Sequence, residues 1–209
     1  TGDIVLDNDI QTAGNYRYYG EFRGNNHKIS NITKPLFGNC INADISSIRG
    51  EGNISLTGNG AAIAGYLGNN SVLSRCSYSG SIESGGVRGG IVLRAENSTI
   101  TDCYNNSRLS GDSAAGIVYY TDNANVINCY DTSDSPFAGE TGNSNFINCY
   151  TTNENDLWAE TVTDEDIKEY SFAHSLNTTD GSNVNSGIWS SNGTMAVFAD
   201  RENAPVYSV

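Results

Sequence analysis

The feature that most constrains this 209-residue chain is a unit that recurs with a cysteine in the same place. Val72-Leu73-Ser74-Arg75-Cys76, Thr99-Ile100-Thr101-Asp102-Cys103, Asn125-Val126-Ile127-Asn128-Cys129 and Asn145-Phe146-Ile147-Asn148-Cys149 each carry an apolar residue three positions before the cysteine: Leu73, Ile100, Val126 and Phe146. A tyrosine follows one or two places later, at Tyr78, Tyr104, Tyr130 and Tyr150. Upstream, Ile45 with Ile48 and Ile29 with Ile32 keep the spacing with isoleucine at the anchor. Anchors at 32, 48, 76, 103, 129 and 149 are 16, 28, 27, 26 and 20 residues apart. Six residues after an anchor come Ile54, Ile82 and Leu109, and twelve before come Ile91, Ile117 and Phe137.

Three apolar patches per repeat predict three short strands per coil. One such coil cannot bury its apolar side alone, so coils stack and equivalent residues form interior ladders ~4.8 Å apart. The expected fold is all-β: a right-handed parallel β-helix of about five to six coils. Cysteine suits a ladder as a small buried hydrophobe, so Cys76, Cys103, Cys129 and Cys149 are expected as stacked free thiols, with Cys40 in a loop off the ladder. Gly65, Gly90 and Gly116 each precede an apolar strand and are expected to share one column. A β-sandwich explains short strands but not columns kept in register.

Two stretches, Ala64-Gly65-Tyr66-Leu67-Gly68-Asn69 through Cys76-Ser77-Tyr78-Ser79-Gly80 and Gly89-Gly90-Ile91-Val92 through Asp102-Cys103-Tyr104, resemble the GLUG-type repeats of bacterial secreted and surface proteins. Asp3 to Ile10, Tyr19 to Ile29 and Pro35-Leu36-Phe37-Gly38 resemble the opening coils of such domains. The resemblance covers roughly residues 1–150, and the last cysteine unit departs from it by being short. It implies a pectate-lyase-like β-helix and an extracellular or cell-surface setting. It accompanies adhesins, immunoglobulin-cleaving metallopeptidases and carbohydrate-active proteins alike, so it leaves the activity open.

The chain divides into a β-helix over 1–155 and a C-terminal cap over 156–209. Thr163 followed by Asp164, Glu165 and Asp166 marks a helix start, placing a helix at about 164–176. Short strands near Ile188-Trp189, Met195 to Phe198 and Ala204 to Tyr207 are expected to close the last coil. Trp158 and Trp189 read as cap packing. The chain opens at Thr1-Gly2 rather than Met, as a processed product or a piece of a larger chain does.

A net charge of −13 disfavours nucleic acid and anionic membrane surfaces, and no run approaches the ~20 apolar residues of a membrane span. Some of the 24 acidic residues offer ligands for calcium, the one cofactor under consideration. No cysteine–histidine set has zinc spacing and His-Glu-x-x-His is absent, which removes metallopeptidase chemistry from this chain. His27 reads as a turn residue and His174 as part of the cap. A lyase needs an arginine base beside clustered carboxylates; Arg75, Arg88, Arg94 and Arg108 with Asp102, Asp112, Asp122, Asp131 and Asp134 are the candidates. Arg75 and Asp102 share a column and read as a cross-coil pair. For ligand binding the candidates are Tyr18, Tyr19, Tyr119, Tyr120, Asp131 and Asp134. Neighbouring tyrosines in a strand face opposite ways, so one of Tyr119 and Tyr120 is expected outside. The longer loops, around 56–62 and 131–143, are where binding is most readily grafted.

The reading is a monomeric, non-catalytic, adhesin-like module that presents a side face to a glycan or a host or cell-surface protein. A polysaccharide lyase or glycoside hydrolase on the same fold, and a passive stalk, are the alternatives.

Overall fold

The structure is a computed structural model describing residues 3–5, 17–110, 113–178 and 187–199. Its strands run parallel in a coiled stack, a parallel β-helix. Phe37 pairs with Ala64, Ala64 with Val92, Val92 with Val118 and Val118 with Ala138, which marks four complete turns. Partial turns flank them, so the complete turns are fewer than the five to six coils expected. One face stacks Arg17–Arg23, the start of Phe37–Leu56, Ala64–Gly68, Val92–Glu96, Val118–Asp122 and Ala138–Thr141. The second stacks the middle of Phe37–Leu56, the start of Val72–Ser84, and Thr99–Thr101, Asn125–Ile127 and Asn145–Ile147. The third continues from those long strands through Tyr104–Ser110, Tyr130–Asp131, Tyr150–Thr151 and Glu160–Thr161. A minor ladder of Gly60–Ala61, Arg88–Gly89 and Ala114–Ala115 completes the coil.

The ladders expected from the sequence are in register. Ile45, Leu73, Ile100, Val126 and Phe146 form one column. Ile48 pairs with Cys76, and Cys103, Cys129 and Cys149 continue that line. All five cysteines are free and buried. Each fully buried Ile, Val or Leu in these columns contributes roughly 1.5–3 kcal/mol. Cys40 is not in a loop: it pairs with Tyr18 and Leu67 and is fully buried in a column of its own.

Corners explain the asparagine content. A sharp bend between faces needs a left-handed residue, which Asn tolerates better than other side chains. Ser47, Arg75, Asp102, Asn128 and Asn148, each just before an anchor, all have φ between 50° and 60°. Asn42, Asn69, Asn70, Asn97 and Asn123 mark the preceding corner. There the coil from Ala64 carries an extra residue, so Asn69 and Asn70 are both left-handed. Gly65 does not belong to the glycine column and lies three positions beyond it. Gly90 and Gly116 align with Ala62, whereas Gly65 lies opposite Leu93. The Ile29/Ile32 pair is also displaced from the anchor columns: Ile29 pairs with Gly50 and Ile32 with Gly52, and Phe22 stands over Ile45. The Gly24-Asn25-Asn26 turn, in which His27 N–H bonds the Gly24 carbonyl, spends the extra residues at that corner.

The tyrosine offset decides which way each ring points. Tyr104, Tyr130 and Tyr150 pair with one another and with Ser77, facing outward, whereas Tyr78 lies one position on and turns inward, donating to the Gly52 carbonyl at 2.8 Å. The C-terminal segment lies over the three outward rings. It comprises a 3-10 turn Asp166–Lys168, a helix Tyr170–Asn177 and an antiparallel hairpin of Trp189–Ser191 with Ala196–Phe198. The helix is therefore shorter than 164–176 and interrupted at Glu169. Thr163 does cap this entrance, exchanging hydrogen bonds with Asp166. The segment runs back along a side wall across three coils. Tyr104 and Tyr130 stack at 5.1 Å, Trp189 tilts against both, and Trp189 Nε1 donates to Asp102 at 3.1 Å. The end of the last coil is covered instead by the 153–159 loop, where Trp158 lies 5.4 Å from Phe146. The expected strand at 204–207 lies outside the described residues.

Candidate functional site

On the first face an outward column runs Arg17, Asn39, Tyr66, Arg94, Tyr120 and Glu140, one residue per coil. These positions face out because their neighbours Leu67, Ala95 and Thr121 face in. Beside that column Gly38 and Gly65 lie opposite each other where later coils carry Leu93 and Tyr119. Two missing side chains leave an open groove of about 630 Å³, lined by Pro35, Gly38, Asn39, Asn59, Gly60, Gly65, Tyr66, Leu93, Arg94 and Glu96. A Cβ at Gly65 would press on the Gly38 carbonyl at 2.9 Å, so the bare floor is built into the stacking. Asn59 and Gly60 come from the 56–62 loop that the sequence singled out.

The polar groups of the groove are fixed to one another. Tyr66 donates its hydroxyl to Glu96 Oε2 at 2.8 Å, and Arg94 Nε donates to Glu96 Oε1 at 2.6 Å, with Arg94 Nη2 on the same oxygen. The Arg94 guanidinium lies 4.3 Å from the centroid of the Tyr120 ring. Partial burial alone would raise the Glu96 pKa, but the bonds from Tyr66 and Arg94 outweigh it and hold the carboxyl below its ordinary value. The same contact raises Arg94. Burial and the Glu96 bond raise the Tyr66 hydroxyl. The result is a neutral, immobilised Tyr–Glu–Arg fork at the edge of a flat groove.

The six ligand-binding candidates from the sequence do not form one site. Tyr120 belongs to the groove's outward column and Tyr119 to the adjacent Leu93 column, both half-buried, so neither tyrosine is wholly outside. Tyr18 shares the interior column of Cys40 and meets Phe37 at 5.2 Å. Tyr19 is exposed beside an irregularity in strand pairing. Asp134 lies exposed on a turn reached from the third face, its carbonyl bonded to Asn153. Asp131 corrects the outer-face expectation most clearly: it is fully buried. Asn105 and Ser133 each donate to its carboxylate at 2.8 Å, yet burial pushes its pKa up to about 7.

The lyase candidates among the described residues are likewise dispersed, and Asp112 lies outside them. Arg88 is buried with its Nη2 on the Ser84 and Gly86 carbonyls. Asp102 is held by Thr101, Asn128 and Trp189, so its corner position serves cap docking more than pairing with Arg75. Among the described residues no three of His, Cys, Asp and Glu gather as a metal site. Sequence reading missed Tyr66 and Glu96; correct alignment of Tyr66 with Arg94 across the extra corner residue would have placed them together.

No family model matches this chain, and no curated protein matches it. A solved structure of an IgA1 Protease is similar in fold, with a TM-score of 0.53 at 20% identity. The likeness covers 63% of this chain but only 12% of that one, and at this identity it speaks for the β-helix alone.

Proposed function

We propose that this chain is a non-catalytic binding module of a secreted or cell-surface bacterial protein, adhesin-like, which holds its ligand on the side wall of the solenoid. The observation that carries this reading is the Tyr66–Glu96–Arg94 fork, pre-set beside a groove floored by Gly38 and Gly65. Its groups sit on stacked strands, so little conformational freedom is lost on binding. The arginine meets one carboxylate there, whereas glycoside hydrolysis uses two carboxyl groups flanking the scissile bond. The GLUG-type resemblance supports the bacterial secreted or surface setting, and the fold likeness to an IgA1 Protease supports the β-helix on which the groove is built.

The test is adhesion of the labelled protein to intact cells and to immobilised matrix proteins and polysaccharides, with product analysis on any retained polymer. The reading expects retention without turnover, reduced at least about tenfold by Arg94→Ala, the size of one charge-assisted hydrogen bond. Chain cleavage would replace it with an enzymatic reading, and retention indifferent to Arg94→Ala would remove the groove from it.

A further inference from the structure

We infer that the groove takes a neutral saccharide rather than an acidic one; this deepens the proposed function and rests on it. The Nε–Nη2 edge of the arginine, a side-on seat for a uronate, sialate or sulfate, is already filled. Arg94 Nε and Nη2 are both committed to Glu96 Oε1, and the guanidinium is held from another side by the Tyr120 ring. A ligand carboxylate seeking the Nε–Nη2 edge would have to displace Glu96, which is held ionised at that spot, and only Nη1 is left to it. The charges of Arg94 and Glu96 cancel, and the molecule as a whole carries −13, which disfavours an anion at this wall.

What remains free suits hydroxyl groups. Glu96 Oε2 accepts one bond, from Tyr66, and a carboxylate oxygen has room for a second. The Tyr66 oxygen, having donated its proton, still accepts. Arg94 Nη1 takes no part in the Glu96 bonds and still donates. Asn39 and Asn59 bring amides to the rim. Acceptors and donors thus both line a floor of Gly38 and Gly65, together with the apolar Pro35 and Leu93. A pyranose matches this: hydroxyls at its rim and C–H groups on its face. The groove is also open rather than closed over, which admits internal residues of a polymer.

The experiment is a binding array of neutral polysaccharides (β-glucan, mannan, galactan, dextran), uronic-acid and sulfated polymers, and matrix proteins, run with calcium and with chelator. Wild type is compared with Arg94→Ala, Glu96→Gln and, as a control on another wall, Asp134→Asn, each verified as folded by circular dichroism. Glu96→Gln keeps the shape of the side chain, so it remains informative where Arg94→Ala fails to fold. The inference expects retention on at least one neutral polymer, weakened at least about tenfold by either groove variant and unchanged by Asp134→Asn. Retention confined to acidic polymers or to protein, and lost in the groove variants, overturns the neutral-saccharide inference while the groove reading stands. Retention on no surface, or retention untouched by both groove variants, overturns both.

Discussion

Tyr66 and Glu96 lie on successive coils, and the hydroxyl of one donates to the carboxylate of the other at 2.8 Å. The bond exists because Tyr66 pairs with Arg94, two residues before Glu96, on the same outward side of the strand. Since Glu96 titrates below its ordinary value, its contribution is present above 4.5 and is lost as pH falls through the lowered folded value. Ligand retention should therefore be level from pH 8 to pH 5 and fall only under about 4.5. A binding titration across that range checks this, and Glu96→Gln should remove the acid limb. A fall centred near neutrality would contradict the assignment.

Asp131 predicts a pH dependence of the opposite sense for stability. Its folded pKa of about 7 lies above the ordinary 3.8, so the folded protein binds a proton that the unfolded chain has lost. The stabilisation is full below 3.8 and disappears as pH rises through about 7, a change on the order of 4 kcal/mol. Asp131→Asn should flatten that part of the profile, with the largest gain in Tm over wild type at pH 8. Parallel Tm profiles for the two proteins would refute it. Gly116→Ala provides a steric companion, because a Cβ there would overlap the Asp131 carboxylate; overpacking of this kind costs about 1–3 kcal/mol or more.

The stacked thiols should be inert in the folded protein. Burial raises Cys40 and Cys149 to about 12 and Cys76 and Cys103 well above the ordinary value. A thiol-reactive dye should label none of them in the native state and all five after denaturation. Cys129→Ser, which puts a hydroxyl in the column, should cost about 1–3 kcal/mol by urea denaturation. Rapid native labelling would show that the ladder opens.

The C-terminal segment should detach separately from the solenoid. Trp189 joins the Tyr104 and Tyr130 rings, the Asp102 carboxylate and both polar atoms of the Asn177 amide. Trp189→Ala removes packing worth about 3–5 kcal/mol and leaves Asp102 buried without that donor. Hydrogen exchange should speed up in Tyr170–Asn177 and dye should bind the uncovered tyrosines, while exchange in Ala64–Gly68 and Val92–Glu96 stays slow. Uniform acceleration across the coils would mean that the segment is part of one cooperative unit.

The interior was the legible part of this chain, because ladders repeat in apolar identity. Leu73, Ile100, Val126 and Phe146 mark their column by spacing alone, as do the four cysteines. Corners are less legible: an added left-handed Asn at Asn69–Asn70 shifts the strand before it by one residue against the cysteine anchors, which hides the pairing of Tyr66 with Arg94. Outward columns carry no repeated identity; Asn39, Tyr66, Arg94, Tyr120 and Glu140 differ at each step, so only the register reveals them. Asp131 looked like any turn carboxylate, and its burial follows from Gly116, whose lack of a side chain admits it. The path of the last segment across three tyrosines was hidden too, since the offset that turns Tyr78 inward and Tyr104 outward is a single residue.

The most direct test of the central claim is amide chemical-shift mapping with the polysaccharide fragment that the array retains. The account predicts shifts at Gly38, Gly65, Tyr66, Leu93, Arg94 and Glu96, with the resonances of Asp131, Tyr104 and Trp189 unmoved. Shifts centred on the Trp189 hairpin or the Asp134 turn, with Gly65 and Arg94 silent, would contradict it.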